Sequence, residues 1–280
     1  MKTIKIFTCI FFLLLITKVR AQEFEVTVTG KGKPVLLFPG FANTGEVFNG
    51  IVKDLSAHYQ VHTFTFAGFG KVAPISFPWL PKIKDAISRY VQTNHLKNPI
   101  LIGHSLGGVL GLWLAADEPK TFSKLIIIDA LPAMGVLMIP NYKSENMVYD
   151  SPYNKQMLAM NDQDFKKMTE QMAQSMSLNK AVHQQLRDWM IMSDRKTFVY
   201  GYVDLLKLDL RDKLSNIVIP VSILAATQPY GKSVVETNYK GQYKNLKNYT
   251  LNFAENAGHF IMYDQPEWFL KTIKSELQIK

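Results

Sequence analysis

The six residues Gly103-His104-Ser105-Leu106-Gly107-Gly108 separate an apolar run, Pro99-Ile100-Leu101-Ile102, from a helical one, Val109 to Ala116. A serine in a G-x-S-x-G turn between strand and helix constrains the fold more than any other feature of the chain. The backbone must reverse so sharply that the serine adopts a strained conformation, and side chains two positions to either side would collide. Gly103 and Gly107 remove those collisions. The serine then stands at a helix start, where unpaired N–H groups face whatever its oxygen attacks. This context points to a nucleophilic serine rather than a glycine-rich turn with an incidental one.

The amino terminus reads differently. Lys2 and Lys5 precede an uncharged apolar stretch from Ile6 to Ile16, and Val19-Arg20-Ala21 offers a small-residue cleavage site. Residues 1–21 have the layout of an export signal, which directs the mature chain to a periplasm or out of the cell. The apolar stretch is too short to span a bilayer, so no stable membrane anchor is expected. Cys9, the single cysteine of the chain, lies inside that stretch. The mature chain then has no disulfide and no thiol nucleophile, and its core must hold it together. The remaining 259 residues suffice for one large domain. The formal charge of +9 falls to about +5 without the four basic residues of the signal. Its basic residues are scattered beside acids and show no cluster interleaved with aromatics, so no nucleic-acid partner is expected. Histidines and acids show no metal-ligand spacing, and neither a metal nor a cofactor is implied. Nothing in the pattern fixes the oligomeric state.

Along the mature chain, short apolar runs alternate with helical patterns. Phe24 to Thr29, Pro34 to Phe38, Val61 to Phe66, Ile100 to Ile102, Leu125 to Ile128, Val221 to Leu224 and Tyr249 to Phe253 read as strands. Val47 to Leu55, residues 78 to 92, the run after Ser105 and a segment from about Pro266 read as helices. Continuously apolar strands separated by helices predict an α/β fold: a mostly parallel sheet with helices on both faces. Ligands in such sheets sit beyond the carboxyl ends of the strands, where Gly40, Ser105, Asp129 and His259 all fall. Residues 22–130 and 215–280 are expected to form this core.

Residues 131–214 interrupt the alternation and are rich in methionine. Phe165, Met168, Met172 and Met176 keep helical spacing, as do Val182, Leu186 and Trp189, so the segment is expected to be a helical cap over the site. Most of the methionines are expected to pack between helices. Some could instead line an adaptable apolar pocket.

A serine hydroxyl needs a base within hydrogen-bond reach. His58 and His95 end helices, His62 lies in a strand, and His183 falls on the polar side of an inserted helix. The side chain of His104 leaves the elbow in another direction. His259, in the loop Asn256-Ala257-Gly258-His259-Phe260 after the last strand, is the candidate base.

With Ser105 first and His259 last, the Pro39-Gly40-Phe41 turn and the elbow, the chain resembles the α/β-hydrolase superfamily over nearly its whole mature length. Proline stands at 39 where the family has histidine, and Gly68-Phe69-Gly70 matches its G-x-G turn without the usual preceding aspartate. The resemblance implies an oxyanion hole formed by the backbone N–H groups of Phe41 and Leu106. It also implies an acid after the seventh strand, yet Ala225 to Ser233 contains no carboxylate and Glu236 lies too far along. Asp129, after the sixth strand, is the candidate acid, as in some members of the superfamily. The alternative is a site run by Ser105 and His259 alone, oriented by Gln228 or water.

The resulting expectation is an exported serine hydrolase cleaving small apolar or amphipathic carboxylic esters. Other acyl or C–C hydrolases, an amidase, a thioesterase, or a cofactor-free peroxidase or lyase could use the same constellation. A ligand-binding receptor with a vestigial triad is the reading from another class, kept open by the missing carboxylate after the seventh strand.

Overall fold

The computed structural model describes residues 17–20 and 23–279. Eight strands form one sheet: β1 (Thr17–Arg20), β2 (Phe24–Thr29), β3 (Pro34–Phe38), β4 (Gln60–Phe66), β5 (Ile100–His104), β6 (Lys124–Ile128), β7 (Val221–Ala226) and β8 (Tyr249–Ala254). Their order across the sheet is β1-β2-β4-β3-β5-β6-β7-β8. β2 runs antiparallel to β1 and β4, and the other pairings are parallel. Every residue of β3, β5 and β7 is buried, because helices cover both faces of the central sheet. The β8 edge is half-exposed, and its sequence alternates accordingly.

The edge strand β1 falls inside the stretch read as an export signal, of which residues 1–16 and 21 lie outside the described residues. The expected helix at Val47 begins as a tighter 3-10 turn, Gly45–Phe48, before the α-helix Asn49–Ser56. Among the described residues no helix is long and apolar enough to cross a membrane.

An aromatic cluster fills the core beneath β2, β3 and β4. Phe64 packs edge-on against Phe24, Phe38 and Tyr90, with centroids 5.0, 4.9 and 5.4 Å away. Such edge-to-face pairs add about 0.5–1.5 kcal/mol each beyond their burial. The helix Leu106–Asp117 after the elbow is buried on nearly all sides, which explains its unbroken apolar sequence.

Between β6 and β7 the chain passes through helices Met134–Met138, Pro152–Ala159, Asp162–Met176, His183–Met192 and Tyr202–Lys207. A π-helical turn, Thr197–Gly201, precedes the last of them. Met157 and Met190 are buried, and Met134, Met160, Met168, Met172 and Met176 pack against the core from partly exposed positions. Packing accounts for most of the methionines.

Two of the polar anchors that fix this segment to the core act through Asp204 and Asp194. The buried Asp204 carboxylate accepts from the Trp79 and Leu80 N–H groups at 2.6 and 3.1 Å. It thereby caps helix Trp79–Thr93, whose own flanking residue, Pro78, has no capping side chain. The Asp194 N–H donates to the Gly68 carbonyl at 2.8 Å. Both anchors lie on the β4 side of the elbow.

Candidate active site

Ser105 sits between β5 and helix Leu106–Asp117 with φ +52° and ψ −119°. A Cβ on Gly103 would overlap the Gly107 carbonyl, and one on Gly107 would overlap the Phe38 carbonyl at the end of β3. Steric exclusion by backbone on both sides is therefore what shapes the turn. The Ser105 N–H donates to the Ile128 carbonyl at 2.9 Å, which ties the serine to the end of β6. Leu106 is the first residue of the helix, so its N–H has no intrahelical acceptor.

Asp129 follows Ile128 directly, also at positive φ (+44°). Its N–H donates to the Leu224 carbonyl at 2.8 Å, across to β7. Its Oδ2 lies 2.7 Å from His259 Nδ1. Its Oδ1 accepts from the Ala226 N–H at 2.9 Å and from the Tyr239 hydroxyl at 2.8 Å. Burial alone would push this carboxyl up, but the hydrogen bonds from His259, Ala226 and Tyr239 outweigh it and hold the group below the usual carboxylate range. Because an ionised carboxylate only accepts, Nδ1 of His259 donates this bond.

The neighbour of the serine, His104, packs against the His259 ring. Its ring centroid lies 4.7 Å from that of His259, and its Nε2 donates to the His259 carbonyl at 2.9 Å. The ring is fully buried, its Nδ1 has no partner, and a Cβ on Gly40 would meet that atom at 2.8 Å. Burial, then the charge on His259, pushes His104 down to about 3. It stays neutral and supports His259, and the same ring brings the Gly40 turn against the elbow.

The turn carrying the Phe41 N–H is fixed by Asn43, whose side chain donates to the Phe41 carbonyl at 2.8 Å and whose N–H reaches Gly40 at 3.3 Å. The Phe41 ring packs against Phe69 and Trp79 of the core and against Phe198 and Tyr202 of the segment between β6 and β7. The Tyr202 hydroxyl in turn reaches Met138 Sδ at 3.2 Å.

Two of the remaining histidines, His62 and His183, are occupied elsewhere. His62 pairs with Tyr90 and Gln60 inside β4, and burial pushes it down to about 4. His183 is not on an open polar face: it is half-buried and donates to the Ser177 carbonyl at 2.8 Å. Among the described residues no cluster of three or more His, Cys, Asp or Glu could hold a metal ion.

Thus Asp129 and His259 are joined across the carboxyl ends of β6 and β8, while Ser105 and the Phe41 turn lie at the carboxyl ends of the neighbouring β5 and β3. Sequence reasoning missed Tyr239, the Ala226 N–H and the contact of His104 with His259. In the helix Lys232–Gln242 the pattern Val235, Tyr239, Gln242 marks an inward face, but nothing in it names a partner after β6.

The family model described as the alpha/beta hydrolase fold matches residues 33–266. A pimeloyl-(acyl-carrier protein) methyl ester esterase of Aeromonas salmonicida is 32% identical over 109 residues, 37% of this chain and 40% of that protein. The chain thus matches about two fifths of the length of such curated relatives. Among solved structures, an esterase from Exiguobacterium antarcticum superposes with a TM-score of 0.77 at 19% identity, covering 94% of this chain and all of that one. An enol-lactonase from Burkholderia xenovorans LB400 superposes at 0.76 with 14% identity, covering 92% and 99%. With the matched model spanning most of its length and the strand order above, the chain belongs to the α/β-hydrolase fold family.

Proposed function

We propose that this chain is an exported serine hydrolase that cleaves carboxylic esters of small apolar or amphipathic substrates through an acyl-enzyme on Ser105. The observation that carries the reading is the 2.7 Å bond between Asp129 and His259 Nδ1 beside a serine at positive φ. It leaves His259 Nε2 as the acceptor for the serine proton. Ser105 Oγ attacks the acyl carbon while His259 takes its proton, and Asp129 stabilises the imidazolium. The N–H groups of Phe41 and Leu106 receive the oxyanion. Collapse expels the alcohol, to which His259 returns the proton. Water, deprotonated by the same imidazole, then attacks the acyl carbon, and Ser105 leaves with the proton. No metal or cofactor enters this sequence.

The aromatic set around Phe41, with Phe198 and Tyr202 from residues 131–214, supports a role of that segment as a cap lining an apolar site. The presence of an esterase and an enol-lactonase among similar proteins supports ester chemistry as the reaction class. Cleavage after Ala21 would leave β2 at the sheet edge without disturbing any strand that carries the site.

Ser105→Ala tests the reaction. Turnover of short p-nitrophenyl esters should fall by at least about a thousandfold in a folded protein, and a fluorophosphonate should label the parent at Ser105 alone. Parent protein that neither labels nor turns over esters would favour the ligand-binding reading instead.

A further inference from the structure

Asp264 stands five residues after His259, at the end of the short helix Ile261–Asp264, and the chemistry above gives it no part. Its carboxylate nevertheless gathers four donors. Oδ1 accepts from the Ser177 hydroxyl at 2.5 Å and from the Leu178 and Asn179 N–H groups at 3.0 Å each. Oδ2 accepts from the Gly258 N–H at 2.7 Å, and from Leu178 again at 3.1 Å. Three of these donors belong to the segment between β6 and β7, and the fourth adjoins the base.

The junction is reinforced on the other side of His259. The Phe260 N–H donates to the Met176 carbonyl at 3.2 Å, and the Asn179 side chain donates to the Tyr263 carbonyl at 3.2 Å. His183 holds the Ser177 carbonyl at 2.8 Å. So the residue before the base and the residue after it are both bonded to this junction, while His104 holds the carbonyl of the base itself. The backbone of His259 has its position set from three directions, two of which lead to residues 176–179.

We propose that Asp264 is a positioning residue that locks the loop of His259 to residues 177–179, so that the imidazole is aimed at Ser105 only while the inserted segment is docked. The proposal rests on reading His259 as the base. Any displacement of the 176–179 turn must carry the Gly258 and Phe260 amides with it. A shift of about 1 Å at a reacting group can cost about a hundredfold in rate. Seating of the inserted segment and readiness of the base thereby become one event.

The experiment compares Asp264→Ala, Ser177→Ala and His259→Ala with the parent on a short p-nitrophenyl ester. Rates are normalised to folded protein measured by circular dichroism, so that unfolded protein does not enter. Asp264→Ala should lower kcat about 10- to 100-fold with KM within about twofold. Ser177→Ala, which removes one donor and keeps the rest, should lower kcat a few-fold; it carries the test if Asp264→Ala does not fold. A raised KM with kcat retained would mean that Asp264 merely holds the inserted segment, and would overturn the proposal. Unchanged kcat in both variants, with His259→Ala inactive, would overturn it while leaving the base assignment standing. Full turnover by His259→Ala would remove its premise.

Discussion

The two halves of the candidate site are built by different physics. The nucleophile half is contiguous: Gly103 to Gly108 acquire their shape because a side chain at Gly103 or Gly107 would strike backbone. The acid–base half is scattered over Asp129, Ala226, Tyr239, His259 and Asp264, joined by hydrogen bonds across separate strands and loops. Steric exclusion is all-or-none and local, whereas a hydrogen-bond network is graded and long-range. Damage to the first half should therefore be abrupt, and damage to the second should scale with the number of bonds removed.

Gly107→Ala should show the largest effect. Its Cβ would overlap the Phe38 carbonyl, and neither backbone can retreat without opening the pairing of β3 with β5. Folded protein should be lost or destabilised by about 3 kcal/mol or more, with no Ser105 labelling in what remains. Gly50→Ala is the control. That glycine lies in helix Asn49–Ser56 with nothing within 4 Å of an added Cβ, so alanine should be neutral or stabilising by up to about 1 kcal/mol. Thermal melting of the two variants reads the contrast directly. A tolerated alanine at 107 would erase the distinction between the halves.

Asp129→Asn attacks the second half at its centre. The amide cannot accept from His259 Nδ1–H, the Ala226 N–H and the Tyr239 hydroxyl together, and it permits the wrong imidazole tautomer. kcat should fall by about 10³- to 10⁴-fold in a protein that still folds and still superimposes on the parent by circular dichroism. A near-normal rate would move the acid elsewhere. The pH dependence of melting has a definite sign. The folded carboxyl is held below its ordinary value, so its contribution to stability is fully present above the unfolded pKa of about 4 and is lost as pH falls through the lower folded one. The asparagine variant should lack that acid-limb loss and lie below the parent at neutral pH.

What was readable from sequence follows the same division. The elbow, the apolar strands β3, β5, β6 and β7, and the parallel sheet are written in local periodicity, because both-face burial demands unbroken apolar runs. His259 was reachable by elimination, and Asp129 by the lack of a carboxylate after β7. Tyr239 was not reachable, since an inward-facing aromatic on a helix reads as packing whatever its hydroxyl touches 110 residues away. Asp264 carries no signal in the sequence, for its donors from the inserted segment lie more than 80 residues earlier. The contact of His104 with the His259 carbonyl was not legible either, since it depends on how the last loop folds back. The split of the helix near Val47 reflects the Thr65 hydroxyl, which accepts from the Gly45 N–H at 2.9 Å.

The smallest effect should come from Tyr239→Phe, and it is the sharpest test of gradation. The ring is fully buried, stacked at 6.0 Å on Tyr243, whose hydroxyl holds the Ala130 carbonyl at 2.8 Å. Removing one oxygen therefore keeps the packing and deletes a single donor to Asp129. Burial, then the nearby Asp129 charge, holds the Tyr239 hydroxyl well above its usual range, so it donates at every working pH. A hydrogen bond to a charged acceptor contributes about 1.5–3 kcal/mol, and only part of that separates the ground state from the transition state. kcat should fall by less than about tenfold, far short of the asparagine variant at 129. A loss as large as that of Asp129→Asn would mean that the network acts as a single indivisible unit, like the elbow. An unchanged kcat would mean that Tyr239 fills space and leaves the orientation of Asp129 to Ala226.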